Sequence, residues 1–393
     1  MYNASKLYRG VWAGVALLAV SVALMGCPDN GVVRDGVIIV DDVPGLQVTS
    51  LTADAIELES KVDTPIAVGD VLVGSTEDSG YLRRVTAVDQ KGPRVLAQTE
   101  SATLEDAIES GVLLSNFEFQ PADFTKAGLT PKGSKATLVD FSGRDIYRDY
   151  GVAITVDRGV VDCAPEFAIM AKYESFKLQT FDFSTTGTIS LDLDLKVALD
   201  NQTPLAGEWD IIPPIIHPFA ASIGPVPVFG HVTMRFPIGV TGHMVGDTSV
   251  KSGLTITDTF LIKAHYADGS WDGTGADVLN FDVDGHPLTW NIDLGGTLQG
   301  YVKVIVELSL YESAELDLFL KPYLTSNIHI FPSPATIDLS AGLDAGGYFG
   351  LKVLGNNIVG KDFYWNGPTR MLYRGVQDYS DPLPWTSGSI DIW

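Results

Sequence analysis

Apolar and polar residues alternate strictly along two long stretches of the chain. Between residues 189 and 199 every odd position is apolar, and the even positions are mostly serine, aspartate or lysine. The same period of two returns at residues 298–310 and continues in phase at 316–320. Such alternation gives a β-strand one apolar and one polar face, and residues 189–199 would extend about 36 Å as a strand. The pattern predicts tall antiparallel sheets, packed face to face or curled around an apolar interior.

Shorter apolar runs, separated by turn signals, come before these long stretches. The candidate strands are residues 37–40, 46–59, 70–73, 81–88 and 95–99, with a hairpin turn at 89–92. Residues 101–109 form the one predicted helix, because Ser101 or Thr103 can cap it. Leu104 and Ile108 lie one turn apart on a single helical face. Together these elements predict a small β-barrel or sandwich module.

The predicted fold class is all-β, with this small N-terminal module followed by a large antiparallel β-sandwich-like domain with long strands. Prolines and glycines around Pro121, Pro131 and Gly133 indicate a connection between the two. In chain order we predict a signal peptide at 1–26, a lipidated tether at 27–34, a small β domain at 35–112, a connector at 113–135, a large antiparallel β domain at 136–376 and a C-terminal tail at 377–393.

One segment inside the large domain combines apolar residues with five prolines. Because proline cannot donate to a ladder, residues 211–229 are predicted to form an edge or a loop that packs on a sheet. The alternative is an exposed apolar lip that contacts lipid or a partner. The side chains of that lip would be Ile215, Ile216, Phe219, Val226, Val228 and Phe229.

The first residues have the order of an export signal. Lys6 and Arg9 precede an apolar run at 11–24, which as a helix measures about 21 Å and is too short to span about 30 Å of hydrocarbon. The run ends in Leu24-Met25-Gly26-Cys27, which closely resembles the lipobox of bacterial lipoproteins. The resemblance implies that Cys27 becomes the first residue, linked to diacylglycerol and N-acylated, for example with palmitate. An ordinary secretory signal is the alternative.

The predicted lipoprotein signal determines where we expect the protein to be located. We expect a cell-envelope protein held by its lipid in the outer rather than the inner membrane, with a periplasmic or surface-exposed body. Several acyl chains anchor a protein stably, whereas one chain alone binds only marginally.

The charge of the chain narrows its partners. It has 49 acidic against 26 basic residues, a net charge of -23, and loss of the signal removes Lys6 and Arg9 as well. So acidic a body repels nucleic acid, which we exclude as a partner. With Cys27 used for lipid, Cys163 has no cysteine partner, and its apolar neighbours predict a buried thiol and no disulfide.

Two acidic segments have the spacing of a calcium loop, and calcium is the one candidate cofactor. Residues 268–273 and 280–285 place oxygen donors at positions one, three and five and glycine at six. The candidate ligands are Asp268, Ser270, Asp272, Asn280, Asp282 and Asp284. Neither segment has glutamate at position twelve, where Leu279 and Asn291 stand. Asp-Gly pairs also mark hairpins, so we favour plain turns.

Other chemical signatures are sparse. Tyr266, Trp271 and Trp290 could stack on sugar rings, although core packing is the favoured interpretation. The sequence has no Gly-x-Ser-x-Gly, His-Glu-x-x-His or Cys-x-x-Cys motif, and its six histidines show no metal-ligand spacing. We therefore predict no catalytic residue.

Short segments of the body resemble other bacterial proteins. Ile223-Gly224-Pro225-Val226-Pro227-Val228, Tyr266-Ala267-Asp268-Gly269-Ser270-Trp271 and Leu320-Lys321-Pro322-Tyr323-Leu324 are similar in order and spacing to uncharacterised, β-rich, secreted or surface proteins of bacteria. Residues 69–74 and 81–85 look like a module attached to diverse bacterial surface proteins. These resemblances imply an extracytoplasmic β fold and supply no catalytic residues.

Anchor, periodicity and the lack of a catalytic motif lead to one expected function. We expect a lipid-anchored envelope protein with a non-catalytic binding or structural display role, whose partner besides the membrane is a glycan, a hydrophobic ligand or another protein. The first alternative is a carrier of lipid or another hydrophobic ligand, with residues 211–229 as its lip. The second is a carbohydrate-active hydrolase, which needs two carboxylates in one cleft.

Overall fold

The computed structural model describes residues 31–61, 66–75, 80–129, 138–199, 204–245, 248–292, 295–311, 313–329, 335–350, 352, 354–355, 360–377 and 387–390. The predicted signal peptide, with Leu24, Met25, Gly26 and Cys27, lies outside the described residues. Within these ranges, no helix has the length and apolar character that crossing a membrane requires.

Almost all regular structure in these residues is β. The first strands are β1 Val32–Val33, β2 Val37–Ile39, β3 Leu46–Leu51, β4 Ala55–Ser60, β5 Val71–Ser75, β6 Gly80–Lys91, β7 Arg94–Ser101, β8 Ile108–Glu118, β9 Leu138–Asp140, β10 Arg144–Asp149, β11 Val152–Glu174, β12 Lys177–Leu199 and β13 Pro204–Asp210. They are followed by β14 Ile215–Ile223, β15 Val226–Arg235, β16 Pro237–Val245, β17 Thr248–Ala267, β18 Ser270–Val278, β19 Asp282–Gly285, β20 Leu288–Ile292, β21 Gly295–Val302, β22 Val304–Leu310, β23 Ser313–His329, β24 Ala335–Phe349, β25 Lys361–Gln377 and β26 Ser387–Ile390. The helices are α1 Leu104–Ala107 and α2 Pro121–Lys126, with a 3₁₀ turn at Val40–Asp42.

The strands form three sheets, and the all-β prediction is confirmed. A six-stranded sheet has the order β2-β5-β6-β7-β4-β3, and it is antiparallel except where β2 pairs with β5. Its own apolar core includes Ile56, Leu58, Leu72 and Val95. On the opposite side, Val71, Val73 and Leu82 join the core of the larger sheets.

The eleven-stranded sheet is built around the long strands β11, β12 and β17. The predicted strand at 189–199 is the second half of β12, and its alternate side chains Ile189, Leu191, Leu193, Leu195 and Val197 are all buried. Cys163 of β11 is also buried and unbonded, as predicted. Burial and the nearby Asp162 raise the pKa of its thiol to about 12.

In the nine-stranded sheet, shorter strands continue one another. Both β21 and β22 pair with β23, on either side of Lys303, so residues 295–310 and 313–329 run as a hairpin. This confirms the in-phase alternation at 298–310 and 316–320. Beyond β23 the sheet continues through β24 to β25, which pairs only with β24.

The two large sheets are connected at a corner and enclose one core. At the end of the β12–β17 pair, Leu199 lies opposite Thr248, and the β13–β16 pair resumes with Pro204 opposite His243. The same ribbon thus passes from one sheet into the other. Apolar side chains from both inner faces meet in a single cluster between the sheets.

Three predicted boundaries differ from the structure. The helix expected at 101–109 covers one turn, Leu104–Ala107, because the chain extends again at Ile108 to pair with β11 as β8. Strand β8 therefore occupies the start of the predicted connector at 113–135, whose residues 130–135 lie outside the described part. In the predicted tail, Ser387–Ile390 pairs with β20 as β26. The division into two domains stays a prediction.

Candidate functional site

Two cavities in the interior between the large sheets are small. One cavity of about 10 Å³ lies between Cys163, Thr185 and Val306, and a second of about 20 Å³ lies between Leu195, Ser252 and Leu298. A cavity needs about 10–15 Å³ to hold a single water molecule. Neither of these two cavities can accommodate an acyl chain.

The proline-rich segment is not an open apolar lip. It forms β14 and β15, with β14 at the edge of the nine-stranded sheet, where Pro218 needs no ladder donor. Ile215, Val226 and Val228 are buried, and Phe219 and Phe229 are partly buried against the core. Only Ile216 among the six predicted lip residues is largely exposed, at 48%. The segment is an edge that covers the core.

The first acidic segment forms a tight hairpin. Asp268 and Gly269, with φ of 51° and 79°, connect β17 to β18, and Ala267 pairs directly with Ser270. Positive φ at both central residues is typical of the two-residue turns that join antiparallel strands. Ser270 and Asp272 then belong to β18, although the side chain of Asp272 lies outside the described part. The favoured turn interpretation fits this geometry.

The second acidic segment also lacks a loop that surrounds an ion. Asp282 and Asp284 lie in the extended strand β19, opposite Thr257 and Thr255 of β17. The Asn280 amide donates to Asp258 Oδ1 at 3.3 Å. Among the described residues, no three His, Cys, Asp or Glu side chains are grouped in a way that could hold a metal ion. The calcium spacing thus arises from a turn and a strand.

The predicted aromatic site contributes to the core. Tyr266 is buried, and Trp271 packs on Phe181, Tyr266 and Phe349 at ring-centroid distances of 5.1–6.3 Å. This confirms the packing interpretation for both residues. The side chain of Trp290 lies outside the described part.

A different set of aromatic residues covers the outer face of the nine-stranded sheet. Tyr301 of β21 pairs with Tyr323 of β23, and each tyrosine has a glycine on its other side, Gly239 and Gly342 respectively. A Cβ atom on either glycine would overlap the neighbouring ring. Glycine therefore lets each ring lie flat across the adjacent strand.

A second row repeats this arrangement. Phe319 of β23 lies over Gly346 of β24, which pairs in turn with Tyr364 of β25. The Phe319 and Tyr364 ring centroids are 6.0 Å apart, and Tyr364 is 57% exposed. We call this surface the aromatic platform, and it consists of Tyr301, Phe319, Tyr323 and Tyr364 with Lys303 and Lys321 between them.

Hydrogen bonds fix the three tyrosines of the platform. The Tyr301 hydroxyl donates to Glu208 Oε2 at 3.1 Å, and the Tyr364 hydroxyl donates to Asp344 Oδ2 at 2.7 Å. The Tyr323 hydroxyl lies 3.0 Å from Thr369 Oγ1. Burial and the Glu208 carboxylate raise the pKa of Tyr301 to about 12. Tyr301 is therefore a neutral, oriented ring near pH 7.

The two lysines of the platform have different partners. Lys303 Nζ lies 2.5 Å from Glu208 Oε2, an ion pair, and 5.7 Å from the Phe319 ring centroid. Lys321 Nζ lies 4.4 Å from the Tyr301 centroid and donates to Gln299 Oε1 at 3.1 Å. Burial lowers the pKa of Lys321 despite the attraction of Asp344.

A polar network occupies the outer face of the eleven-stranded sheet. His286 Nδ1 lies 2.7 Å from Asp194 Oδ1, and His286 Nε2 lies 2.9 Å from Thr255 Oγ1. Gly253 lies between Asp194 and His286, and a Cβ atom there would overlap both side chains. Asp192 lies beside His286 and pairs with Arg158. The network orients its members toward one another, so it is a structural feature of this face.

The sequence contains the platform residues, but alternation alone does not reveal the site. The pattern Phe319-x-Lys321-x-Tyr323 places three side chains on the polar face of one strand. Tyr301 and Tyr364 join them only through the register of β21 and β25 with their neighbours. A run of aromatic residues on a face that should be polar was the available signal.

Comparisons of the chain with protein-family models, with curated proteins and with solved structures found no match.

Proposed function

We propose that the protein is a lipid-anchored cell-envelope protein that binds a glycan without catalysis through its aromatic platform. The observation that carries the proposal is the placement of Tyr323, Phe319 and Tyr364 side by side on the outer sheet face, the first two over glycines. The C–H face of a sugar ring packs well on such π surfaces, and neighbouring polar groups can bind its hydroxyls.

The geometry supports binding better than the two alternatives. A carrier of acyl chains needs interior volume, and the two cavities between the sheets measure about 10 and 20 Å³. A hydrolase needs carboxylates that can exchange protons with substrate. Glu208 and Asp344, beside the platform, are already engaged, Glu208 by Lys303 and Tyr301, and Asp344 by Tyr364.

The anchor belongs to the same proposal. Its support is the sequence Leu24-Met25-Gly26-Cys27 and the short tether that follows. Four residues separate Cys27 from Val32, the first residue of β1, and the five steps between consecutive Cα atoms span at most about 18 Å. Such a tether holds the body close to the outer membrane, where envelope glycans are concentrated.

The test uses the lipidated protein in detergent micelles and a panel of soluble polysaccharides, with affinity measured by titration calorimetry. Tyr364→Ala should weaken binding about five- to tenfold, because it removes one stacking surface. Tyr150→Ala is the matched control, since Tyr150 is 84% exposed in the turn between β10 and β11. Binding that is equal in both variants, or absent for every polysaccharide, would contradict the proposed function.

A further inference from the structure

The surroundings of the Lys321 ammonium group indicate a site that can bind an anion. The ammonium group lies between the rings of Tyr301 and Tyr323, at 4.4 and 5.7 Å from their centroids. It donates a hydrogen bond to the neutral amide oxygen of Gln299. Among the described residues no carboxylate forms an ion pair with it, and Asp344 and Glu208 attract it only through space.

Lys303 lies on the same surface, and its positive charge is compensated by a carboxylate. It contacts the Tyr301 and Phe319 rings at 5.6 and 5.7 Å, and it also forms an ion pair with Glu208. A half-buried ammonium without such a partner is unfavourable, because its lost hydration is not replaced by an opposite charge. The lowered pKa of Lys321 reflects this cost. An anionic group of a ligand would compensate the charge of Lys321, as Glu208 compensates the charge of Lys303.

The spacing along β23 determines what kind of ligand fits. Phe319, Lys321 and Tyr323 occupy alternate positions, so they project from the same face. The two aromatic residues are about 13 Å apart along the strand, and Lys321 lies midway, about 7 Å from each. This order of ring, cation and ring matches a chain of sugar rings that carries an acidic substituent between two stacked units.

The backbone of the platform restricts recognition to side chains. Strand β23 pairs with β21 and β22 on one side and with β24 on the other, and β24 pairs with β25. A peptide that adds a strand needs a free sheet edge, which an interior strand does not offer. Stacking and one charge contact are therefore the interactions that the platform provides.

We propose that the ligand of the aromatic platform is an acidic polysaccharide, whose sugar rings stack on Phe319 and Tyr323 while a carboxylate binds Lys321. This inference rests on the proposed function and narrows it to one class of glycan. The net negative charge of the protein repels an acidic ligand, whereas the contact with Lys321 attracts it. Binding should therefore be strongest at a salt concentration that screens the long-range repulsion but leaves the buried contact intact.

The experiment compares polygalacturonate with uncharged amylose on the lipidated protein at about 0.15 M salt, near which the Debye length is about 8 Å. We expect polygalacturonate to bind and amylose to bind at least tenfold more weakly. Lys321→Met should weaken polygalacturonate binding at least tenfold, whereas Lys321→Arg should retain most of it. Lys91→Met is the control, because it removes the same charge from the distant β6–β7 hairpin.

Each outcome separates the two proposals. Equal binding of amylose and polygalacturonate that Tyr364→Ala weakens would overturn the acidic ligand and leave the glycan function intact. Polygalacturonate binding unchanged in Lys321→Met would also overturn the role of Lys321. Poly-glutamate that competes as well as polygalacturonate would replace the glycan by an acidic peptide, and failure of every probe would overturn both proposals. Circular dichroism confirms that each variant is folded.

Discussion

Single glycines control which side chains can meet on the outer faces of this protein. Gly253 of β17 lies between Asp194 of β12 and His286, which follows β19, and the absent side chain leaves room for their 2.7 Å contact. Gly239 and Gly342 give the same freedom to Tyr301 and Tyr323. In each case the residue that acts is far in sequence from the glycine that makes space for it. Inspection of one strand alone therefore cannot reveal the contact.

Asp194 should make stability depend on acid pH. The hydrogen bond from His286, followed by nearby positive charges, lowers the pKa of the Asp194 carboxyl in the folded protein. A lowered folded pKa means that the contribution to stability is present above the unfolded pKa, about 3.9, and is lost as pH falls through the folded value. Asp194→Asn should therefore reduce the free energy of unfolding at pH 7, and the deficit should disappear well below pH 4.

Urea unfolding at both pH values measures this effect. Asp182→Asn is the matched control, because Asp182 makes the same contact with His265 at 2.6 Å but is more exposed. Solvent screening should make its deficit at pH 7 smaller than that of Asp194→Asn. A deficit of Asp194→Asn that stays constant from pH 7 to pH 3 would contradict the role of the ionised carboxylate.

At the scale of elements, the two large sheets meet along one side through side chains. Phe117 of β8 stacks on Phe219 of β14 at 4.6 Å, and His217 of β14 contacts Asp123 of α2 at 2.8 Å. The Asp123 carboxylate also accepts the Gln120 amide hydrogen at 2.7 Å, which caps the start of α2. One buried carboxylate thus connects the helix to the edge strand.

Asp123→Ala should destabilise the fold strongly. It removes a helix cap, which contributes about 1 kcal/mol, and leaves His217 without its partner, which costs about 1–3 kcal/mol more. We expect a loss of about 2–4 kcal/mol in urea unfolding at pH 7. Asp145→Ala, at an exposed ion pair with Arg148, should change stability by less than about 0.5 kcal/mol. Similar effects of the two substitutions would show that the Asp123 contacts carry no special weight.

The sequence predicted elements better than it predicted the site, for a physical reason. Alternation predicted the second half of β12, the end of β21, β22 and residues 316–320 of β23, because burial of one face imposes a period of two on the sequence. The helix at 101–109 was predicted too long, because pairing of β8 with β1 and β11 outweighs local helix preference. The platform depends on how Tyr301, Tyr323 and Tyr364 are aligned across strands, and outward positions impose no apolar pattern that reports this register.

For the whole molecule, the acidic body and the proposed anchor have opposite effects at a membrane. A net charge of -23 for the full chain repels anionic headgroups, so in the proposed arrangement the lipid on Cys27 provides the attachment. Gly31 approaches Gly224 in the turn between β14 and β15, which places this end of the sheets nearest the tether. The outer sheet faces would then lie roughly parallel to the membrane normal and remain accessible to envelope polymers.

The two cysteines of the chain allow the proposed anchor to be tested. Cys27→Ser should move the protein out of the membrane fraction, because it removes the thiol to which the lipid is proposed to be attached. Cys163→Ser is the matched control, since Cys163 is buried and its replacement should leave the protein membrane-bound. Mass spectrometry of the wild-type N-terminal peptide should find Cys27 as the first residue with diacylglycerol and an N-linked acyl chain. A Cys27→Ser protein that still sediments with membranes, or a wild-type chain that retains residues 1–26, would mean that attachment has another origin. The platform would then need to be tested as part of a protein with a different location.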